Sequence, residues 1–595
     1  SQNPNTLYIQ AEHTAQVARS LIKEQTDKFK RGDINIMACS TTMEMGVDIG
    51  GISAVLMNNV PPKPANYLQR TGRAGRRAET QSLALTICND NPVGREALNN
   101  PKWALDHEIE SPSVTFSSVT IMQRHVNSLL LGEYIRSTSG GTVADEIGAF
   151  IYGTNYDKNK TINYTVNGFM DFLVNARNNA NLAEKIRVIT HGTVYETETI
   201  DRMISQSSSL IETICTELKG TIDSLEEEKS QATSAKNQRR LAYRIESLWT
   251  QNLISYLSGN NFLPSNSIPT NIVDLVVASD KKNKNEDQTI KTQRQLSLAI
   301  QEYAPGREVV VDNLVYPVLG IEKRGKVAAN QMLEKNISKC PSCGYVSMGY
   351  VDVTVCPKCG GNLKPIFDGQ RKTATLSVEP CGFVAGDYRR TKKPKLATDF
   401  TVPELLGMEP WNEDENETIY RIRASVHADA QILYVNKGKG YGFAFCEYCG
   451  KMVPEDGLED MLTPLPTAML AHSDISKGGN CYGNTIAGSV KRNVLLSACY
   501  HTDITEMDIK SPYNVSSREH LSLLYTLGTT ISSTFTQSLG VNADEVWFGI
   551  TPKNTLFFYD TASGGAGYAS QLPIYIEKVL DKCLAKLTSC NCETA

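Results

Sequence analysis

Ser40-Thr-Thr-Met-Glu-Met-Gly-Val-Asp-Ile-Gly50 and Tyr67-Leu-Gln-Arg-Thr-Gly-Arg-Ala-Gly-Arg-Arg77 decide how the first part of this 595-residue chain is read. Arg73 and Arg76 are spaced i, i+3, which predicts a shared face on a helical segment. Two planar guanidinium groups aimed at one place suit a polyphosphate. Gly46 permits close backbone approach in a loop that links two sites. The flanks carry short apolar runs at Ile34-Asn-Ile-Met-Ala38, Ala54-Val-Leu-Met57 and Ser82-Leu-Ala-Leu-Thr-Ile-Cys88. Such runs predict buried strands of a parallel sheet. Phe29-Lys-Arg-Gly32 closes a helix with basic residues and a glycine stop.

This pair of stretches resembles motifs V and VI of superfamily 2 helicases, in that order and at that spacing. The resemblance implies a RecA-like α/β unit that forms one wall of an ATP cleft. It implies that Gln69, Arg73 and Arg76 face the ATP γ-phosphate, with the two arginines acting in catalysis as arginine fingers do. It further implies a ribose contact from Asp48 and a nucleic-acid backbone contact from the Ser40 hydroxyl, where a threonine is usual. ATP and Mg²⁺ are the implied cofactors. No G-x-x-x-x-G-K-[ST] phosphate loop and no D-E-x-H/D metal-binding motif occur in the 595 residues. The expectation is that the sequence starts inside the second motor domain. An N-terminal motor half, in the same or another chain, then completes the cleft, and this chain alone does not turn over ATP.

Length predicts several domains, and a hydrophobic share of 41% is ample for globular cores. Net charge is −5 and pI about 6.0, so bulk charge attracts no nucleic acid and binding must use local basic patches. The densest patch is Arg389-Arg390-Thr-Lys392-Lys393-Pro-Lys395, which suits phosphate contact or a solvated loop alike. No apolar run reaches membrane-spanning length, and no signal-peptide pattern is present. Fifteen cysteines, many in C-x-x-C pairs, point to metal sites in a reducing cytoplasm rather than to a disulfide scaffold.

The fold class expected is α/β multidomain. Residues 1–90 form a partial RecA-like helicase C-terminal domain, and 91–305 a junction followed by a mainly helical scaffold. Residues 306–400 form a β-rich region with a zinc ribbon, and 401–595 a C-terminal zinc-binding domain. Asp223 through Leu257 reads as one long charged helix with Ala242, Ile245, Leu248 and Leu253 near one stripe. Glu308 to Tyr316 reads as a hairpin turning at Asp312-Asn313.

Cys340-Pro-Ser-Cys343 and Cys356-Pro-Lys-Cys359 carry the strongest metal signal. Each pair sits on a tight turn that Gly344 or Gly360 permits, and four thiolates close a tetrahedral zinc site with no open position. A second group starts at Cys446-Glu-Tyr-Cys449, with Cys481 as third ligand and His472 as fourth, and Cys499 and His501 as the fallback. Cys583, Cys590 and Cys592 form a third group, a metal cluster or a frayed tail. Asp560 to Tyr568 reads as strand, glycine turn, helix. A turn of this kind can cradle a phosphate, but the small residues here are read as packing.

Phe262-Leu-Pro264, Glu302-Tyr-Ala-Pro-Gly306, the Cys446 pair and Tyr559-Asp-Thr-Ala-Ser-Gly-Gly-Ala-Gly-Tyr568 extend the resemblance over most of the chain. They are similar to segments of large bacterial helicases with a mitomycin-repair-helicase-type zinc-binding domain. That resemblance implies the C-terminal part of an ATP-dependent DNA helicase or translocase, with RNA not excluded. It would serve DNA repair or anti-phage defence, the Druantia-type systems and their other proteins among the partners. The alternative is a non-catalytic nucleic-acid-binding or assembly subunit that uses its zinc domains, with a relic motor half.

Overall fold

The computed structural model describes residues 8–13, 19–40, 52–61, 64–75, 81–90, 92–102, 118–139, 146–158, 160–264, 272–277, 290–311, 314–323, 332–350, 352–367, 374–388, 402–406, 420–424, 431–456, 465–476, 478–509, 517–551 and 553–589. The chain divides into two compact units, Ser1–Pro112 with Val310–Leu314, and Ser113–Val309 with Val315–Ala595.

In the first unit the order is β1 (Gln10–His13), α1 (Arg19–Arg31), β2 (Ile36–Cys39), β3 (Ala54–Asn58), α2 (Pro64–Thr71), β4 (Leu83–Ile87) and α3 (Pro92–Asn99). Strand β1 pairs parallel with β2, Gln10 opposite Ile36, and β3 pairs parallel with β4, Ala54 opposite Leu83. Helix α1 ends on Lys28, Lys30 and Arg31, where cations complement the C-terminal dipole. Gly32 then takes φ +83°, and its N–H bonds the Phe29 carbonyl at 3.0 Å. Strand identity and parallel pairing agree with the apolar runs, but burial does not. Leu56 is 66% exposed and Leu83 56%, and β4 has no buried residue. Among the described residues β3 pairs with β4 in a two-stranded sheet separate from the β1–β2 pair.

The second unit begins as a helical bundle: α4 (Val119–Ser139), α5 (Ile147–Tyr152), α6 (Val166–Ala176), α7 (Ala180–Thr190), α8 (Ile200–Gln231), α9 (Ala235–Trp249) and α10 (Leu253–Gly259). Its core holds Val126, Leu130, Phe169, Ile211, Leu248 and Phe262. Helix α4 is buried around much of its circumference, and a buried Gln123–Asn127–Ser207 hydrogen-bond set ties it to α8. The segment expected as one helix from Asp223 to Leu257 is three. Helix α8 stops at Gln231, α9 runs to Trp249, and α10 restarts under an Asn252 cap that accepts the Ser255 N–H. The apolar stripe survives the breaks, because Ile245, Leu248 and Leu253 are all buried.

Strands begin at β5 (Ile272–Val277) and β6 (Ile290–Gln295), earlier than residue 306. Then follow α11 (Leu296–Glu302), β7 (Glu308–Val311) and β8 (Leu314–Ile321), the last two flanking residues 312–313, which lie outside the described residues. Next come β9 (Leu333–Lys339), β10 (Val346–Gly349), β11 (Lys364–Pro365), β12 (Thr375–Glu379), β13 (Gly382–Ala385), β14 (Val402–Leu406), β15 (Tyr420–Ala424), β16 (Gln431–Asn436), β17 (Phe443–Cys446) and β18 (Met452–Pro454). The chain continues through α12 (Thr467–Leu470), β19 (Val490–His501), β20 (Ile504–Ile509), α13 (Ser517–Ser538), β21 (Val546–Ile550), β22 (Leu556–Asp560) and α14 (Leu572–Ser589).

The largest sheet runs β10-β9-β12-β19-β16-β14, with β11 on β9, β17 on β19 and β18 on β17. A second sheet holds β6-β5-β13-β8 in that order. A third, β15-β20-β22-β21, is antiparallel and packs α13 and α14 through Leu524, Phe535, Phe558, Leu572 and Ile576. Among the described residues no helix is long and apolar enough to cross a membrane.

Candidate functional sites

The first unit carries the residues expected to face a phosphate. Gln69 lies exposed on α2. Arg73 is not on the helix: α2 stops at Thr71, and Arg73 is a half-buried residue in the turn beyond. The two glycines are the reason. Gly72 bonds back to the Leu68 carbonyl at 2.8 Å, and Gly75 takes φ +75° and reaches the Ile52 carbonyl at 3.0 Å. Ala74 forms a parallel bridge to Ile52, so the turn holding Arg73 is fastened beside the start of β3. The expected shared helical face of Arg73 and Arg76 is therefore corrected on the Arg73 side. Arg76, Gly46 and Asp48 lie outside the described residues, as do Arg389, Arg390, Lys392, Lys393 and Lys395. Ser40 is exposed just beyond β2.

Three knuckle turns of one design occur in the second unit. The N–H of Gly344 bonds the Cys340 carbonyl at 2.9 Å, that of Gly360 the Cys356 carbonyl at 2.9 Å, and that of Gly450 the Cys446 carbonyl at 3.0 Å. All three glycines have positive φ, between 71° and 80°, which a side chain would strain. Each first cysteine also donates its N–H across the turn, Cys340 to Tyr345, Cys356 to Gly361 and Cys446 to Lys451.

Two of these turns face each other. The sulfurs of Cys340, Cys343, Cys356 and Cys359 all lie within 4.8 Å of one another, and Cys340 to Cys359 and Cys343 to Cys356 are each 3.5 Å. Around a tetrahedral zinc with Zn–S of about 2.3 Å, sulfurs stand roughly 3.8 Å apart. The quartet fits that ion. Burial raises the Cys340 thiol, but N–H groups of Cys343 and Ser342 and the Cys359 and Cys343 thiols outweigh it and bring it down to about 6. Burial pushes Cys343 up to about 12. Crowded thiols cannot all ionise together without a cation among them.

The third turn gathers its partners from further on. Cys446, Cys449, His472 and Cys481 place one ligand atom each within 4.8 Å, and all four residues are buried. Cys446 and Cys481 sulfurs are 3.8 Å apart. His472 Nδ1 sits 3.2 Å from the Met469 carbonyl, the partner of an Nδ1–H donor. Its Nε2 is buried with no hydrogen-bond partner, on a side chain 2% exposed. A lone pair left so in the interior asks for a metal, and a carbonyl on the other ring nitrogen is the usual orienting contact of a metal-binding histidine. The Cys449 thiol is the first cause that holds Cys446 low, at about 4, while Cys449 itself is driven up by its neighbour and by burial. N–H groups of Lys451 and Gly483 point at the Cys449 and Cys481 sulfurs. This donor set also fits zinc.

Cys499 and His501 are elsewhere. They lie on β19 opposite Leu433 and Gln431, and the His501 ring bonds the Gln431 side chain at 2.8 Å. Cys583 is a buried residue of α14 packed in the core of the third sheet. Cys590 and Cys592 lie outside the described residues. The glycine turn after β22 directs its N–H groups at the chain's own carboxylates. Asp560 accepts from Ala566, Tyr568 and Ala569 at 2.7–3.0 Å, and Asp503 accepts from Gly567 at 3.0 Å. Burial, and then the Asp503 charge, push the Asp560 carboxyl up to about 7. Sequence reasoning missed this use: an aspartate opening the glycine run was the only signal that the turn could wrap a carboxylate of its own.

The first unit has a motif-bearing turn after α2 in an α/β arrangement, and the second has a β-rich region with two closed cysteine sets. Residues 8–78 match the helicase conserved C-terminal domain, and residues 527–595 match the MrfA Zn-binding domain. The chain thus carries a helicase C-terminal domain together with a zinc-binding domain of the MrfA type. The eight residues of the two quartets fall outside the 527–595 match. Druantia protein DruE of Escherichia coli (strain UMEA 4076-1) is 24% identical over 628 residues, covering 94% of this chain and 32% of the relative. ATP-dependent helicase HRQ1 of Saccharomyces cerevisiae is 34% identical over 99 residues, 16% of this chain and 9% of the relative. The chain therefore spans about a third or less of the length of these curated relatives. The crystal structure of DUF1998 helicase MrfA bound to DNA aligns at 12% identity and a TM-score of 0.44, over 98% of this chain and 54% of that one.

Proposed function

We propose that this chain is the C-terminal part of an ATP-dependent DNA helicase or translocase acting in phage defence or DNA repair in the cytoplasm. The observation that carries the proposal is the Gln69–Arg73 turn in a parallel α/β unit that matches a helicase C-terminal domain. Gln69, Arg73 and Arg76 serve the ATP γ-phosphate, and Gly46 and Asp48 serve the nucleotide. A phosphate loop and the Mg²⁺ ligands come from an N-terminal motor half in the same or another chain. Ser40 contacts the nucleic-acid backbone, and the run from Arg389 to Lys395 adds phosphate contacts. The name of the DruE relative favours defence. Cys340, Cys343, Cys356 and Cys359 hold one zinc ion, and Cys446, Cys449, His472 and Cys481 a second. Neither set has an open position, so both fold their modules and perform no hydrolysis.

The test is ATP turnover. The 595-residue chain alone gives none above background. In the full-length motor, Arg73→Ala and Arg76→Ala each lower turnover roughly 100-fold or more while nucleotide binding suffers less. Normal turnover in both variants would overturn the assignment of Arg73 and Arg76 to the ATP γ-phosphate. Backbone-directed binding makes affinity for unrelated single strands fall steeply with salt. Replacing Arg389, Arg390, Lys392, Lys393 and Lys395 by alanine reduces that slope, and an unchanged slope would remove the run from the strand path.

A further inference from the structure

One face of α9 touches both zinc-type modules. Arg240, Tyr243 and Arg244 are spaced i, i+3, i+4 and share that face. Arg240 Nη2 lies 3.3 Å from a Glu334 carboxylate oxygen, and Arg244 Nη2 donates to the Glu334 carbonyl at 3.3 Å. Glu334 is on β9, the strand that runs directly into the Cys340 knuckle. The same Arg240 places Nε 4.0 Å from the carboxylate of Glu447, which sits between the ligands Cys446 and Cys449. Lys491 also reaches the Glu447 carboxylate at 3.4 Å, and Lys323 donates to the Glu447 carbonyl. Lys323 in turn gives its carbonyl to the Tyr243 hydroxyl at 2.9 Å, with its ammonium 5.2 Å from the Tyr243 ring centre.

The charges at the β9 end of this link are withdrawn from water, while Arg240 and Glu447 are partly exposed. The Glu334 and Arg244 side chains are only 6% and 9% exposed. Screening is weak around Glu334 and Arg244, and removing Arg240 leaves the Glu334 carboxylate with less compensation. A knuckle holds its shape while its thiolates hold metal, since binding and local folding are coupled. Emptying the second site releases the turn that carries Glu447, and Arg240 then loses one of its two anchors. Arg240 is the residue that also braces β9, so the disturbance arrives at Cys340.

We propose that α9 couples the two metal sites through Arg240, so that metal occupancy at one raises metal retention at the other. This rests on the reading that both quartets bind zinc. Coupling between two binding sites is reciprocal, so emptying the four-cysteine set loosens the Cys₃His set equally. Glu447 contributes no ligand atom to either site, and its part is to position the link.

Cobalt in place of zinc tests the coupling in the 595-residue chain, because S₄ and S₃N sites absorb differently in the visible. Metal loss to a chelator is followed at each band. Glu447→Gln, which keeps all eight ligands, speeds loss from the four-cysteine set roughly five-fold or more. Arg240→Met speeds loss from both sets, and Cys449→Ser, which destroys the second site, speeds loss from the first. In the Arg240→Met background Glu447→Gln has no further effect on the four-cysteine band. Unchanged loss from that band in both Glu447→Gln and Arg240→Met overturns the coupling, even if Cys449→Ser fails to fold. Wild-type protein that takes up no metal at either band is a different result, and it removes the zinc reading itself.

Discussion

In the four-cysteine set the most distant bonded pair of sulfurs, Cys340 and Cys359, is 19 positions apart, and both knuckles fold on themselves. In the Cys₃His set, Cys446 and Cys481 are 35 positions apart, and His472 arrives from the residues after α12. The surroundings differ as much as the spacing. Cys340 and Cys356 share a small cluster with Leu363, and Cys359 is exposed. Cys446, Cys449 and Cys481 lie in one core with Val276 of β5, Val384 of β13 and Ala444 of β17. The first set packs in a small local cluster, while the second is part of the packing of the β-rich region. The same ligand chemistry can thus be local trim or interior structure, depending on what is packed against the sulfurs.

The largest effect expected comes from that contrast. Cys446→Ser should remove a metal from the interior and cost on the order of 4 kcal/mol or more, or prevent folding. Cys356→Ser should melt the ribbon and leave most of the unit intact, at about 1–3 kcal/mol. Urea unfolding followed by circular dichroism, with limited proteolysis to locate the melted part, separates the two. Equal and global losses would break the comparison.

Metal content gives the next test. Purified protein that has not met a chelator should carry two zinc ions, and a count below one would contradict both assignments. His472→Ala should weaken the second site beyond the roughly 10–100-fold that outer-shell losses cost, whereas His472→Cys should restore much of the affinity as a four-sulfur site. If alanine and wild type retain zinc equally, Nε2 is no ligand.

The smallest effect sharpens the packing side. A Cβ added at Gly483 would stand 2.9 Å from the Cys446 sulfur and 3.3 Å from the Cys481 sulfur. At Gly361 the nearest atoms, the Cys359 sulfur and the Ser342 hydroxyl, are both at 3.4 Å. Gly483→Ala should therefore cost about 1–2 kcal/mol and speed zinc release, and Gly361→Ala should stay within about 0.5 kcal/mol. Thermal melts and chelator-driven release measure both. A tolerant Gly483 would mean that the second site is looser than its burial implies.

The first unit shows a third balance between sequence and structure. Its strands and the α1 stop were legible because apolar runs and a glycine after basic residues act over a few positions. Burial was not legible, since it depends on what lies over a strand. Leu56 and Leu83 are exposed although their pattern reads as interior. The helical region repeats the lesson: the stripe through Ile245, Leu248 and Leu253 was readable, but the breaks at residues 232–234 and 250–252 were not. A stripe can continue across a break when successive helices pack on one core.

By itself the sequence determined the paired motifs around Ser40 and Arg73, their helicase resemblance, and the C-x-x-C-G knuckles. Each of these is fixed within a few residues, where spacing and a positive-φ glycine dictate the turn. Only the tertiary structure chose between His472 with Cys481 and Cys499 with His501. The register of β19 against β16 sets Cys499 and His501 opposite Leu433 and Gln431, and the turn after α12 brings His472 to the sulfurs. It also placed Arg73 past the end of α2 and turned the glycine run after Asp560 inward onto carboxylates. Those outcomes depend on strand register and long-range packing, which no short window of sequence contains.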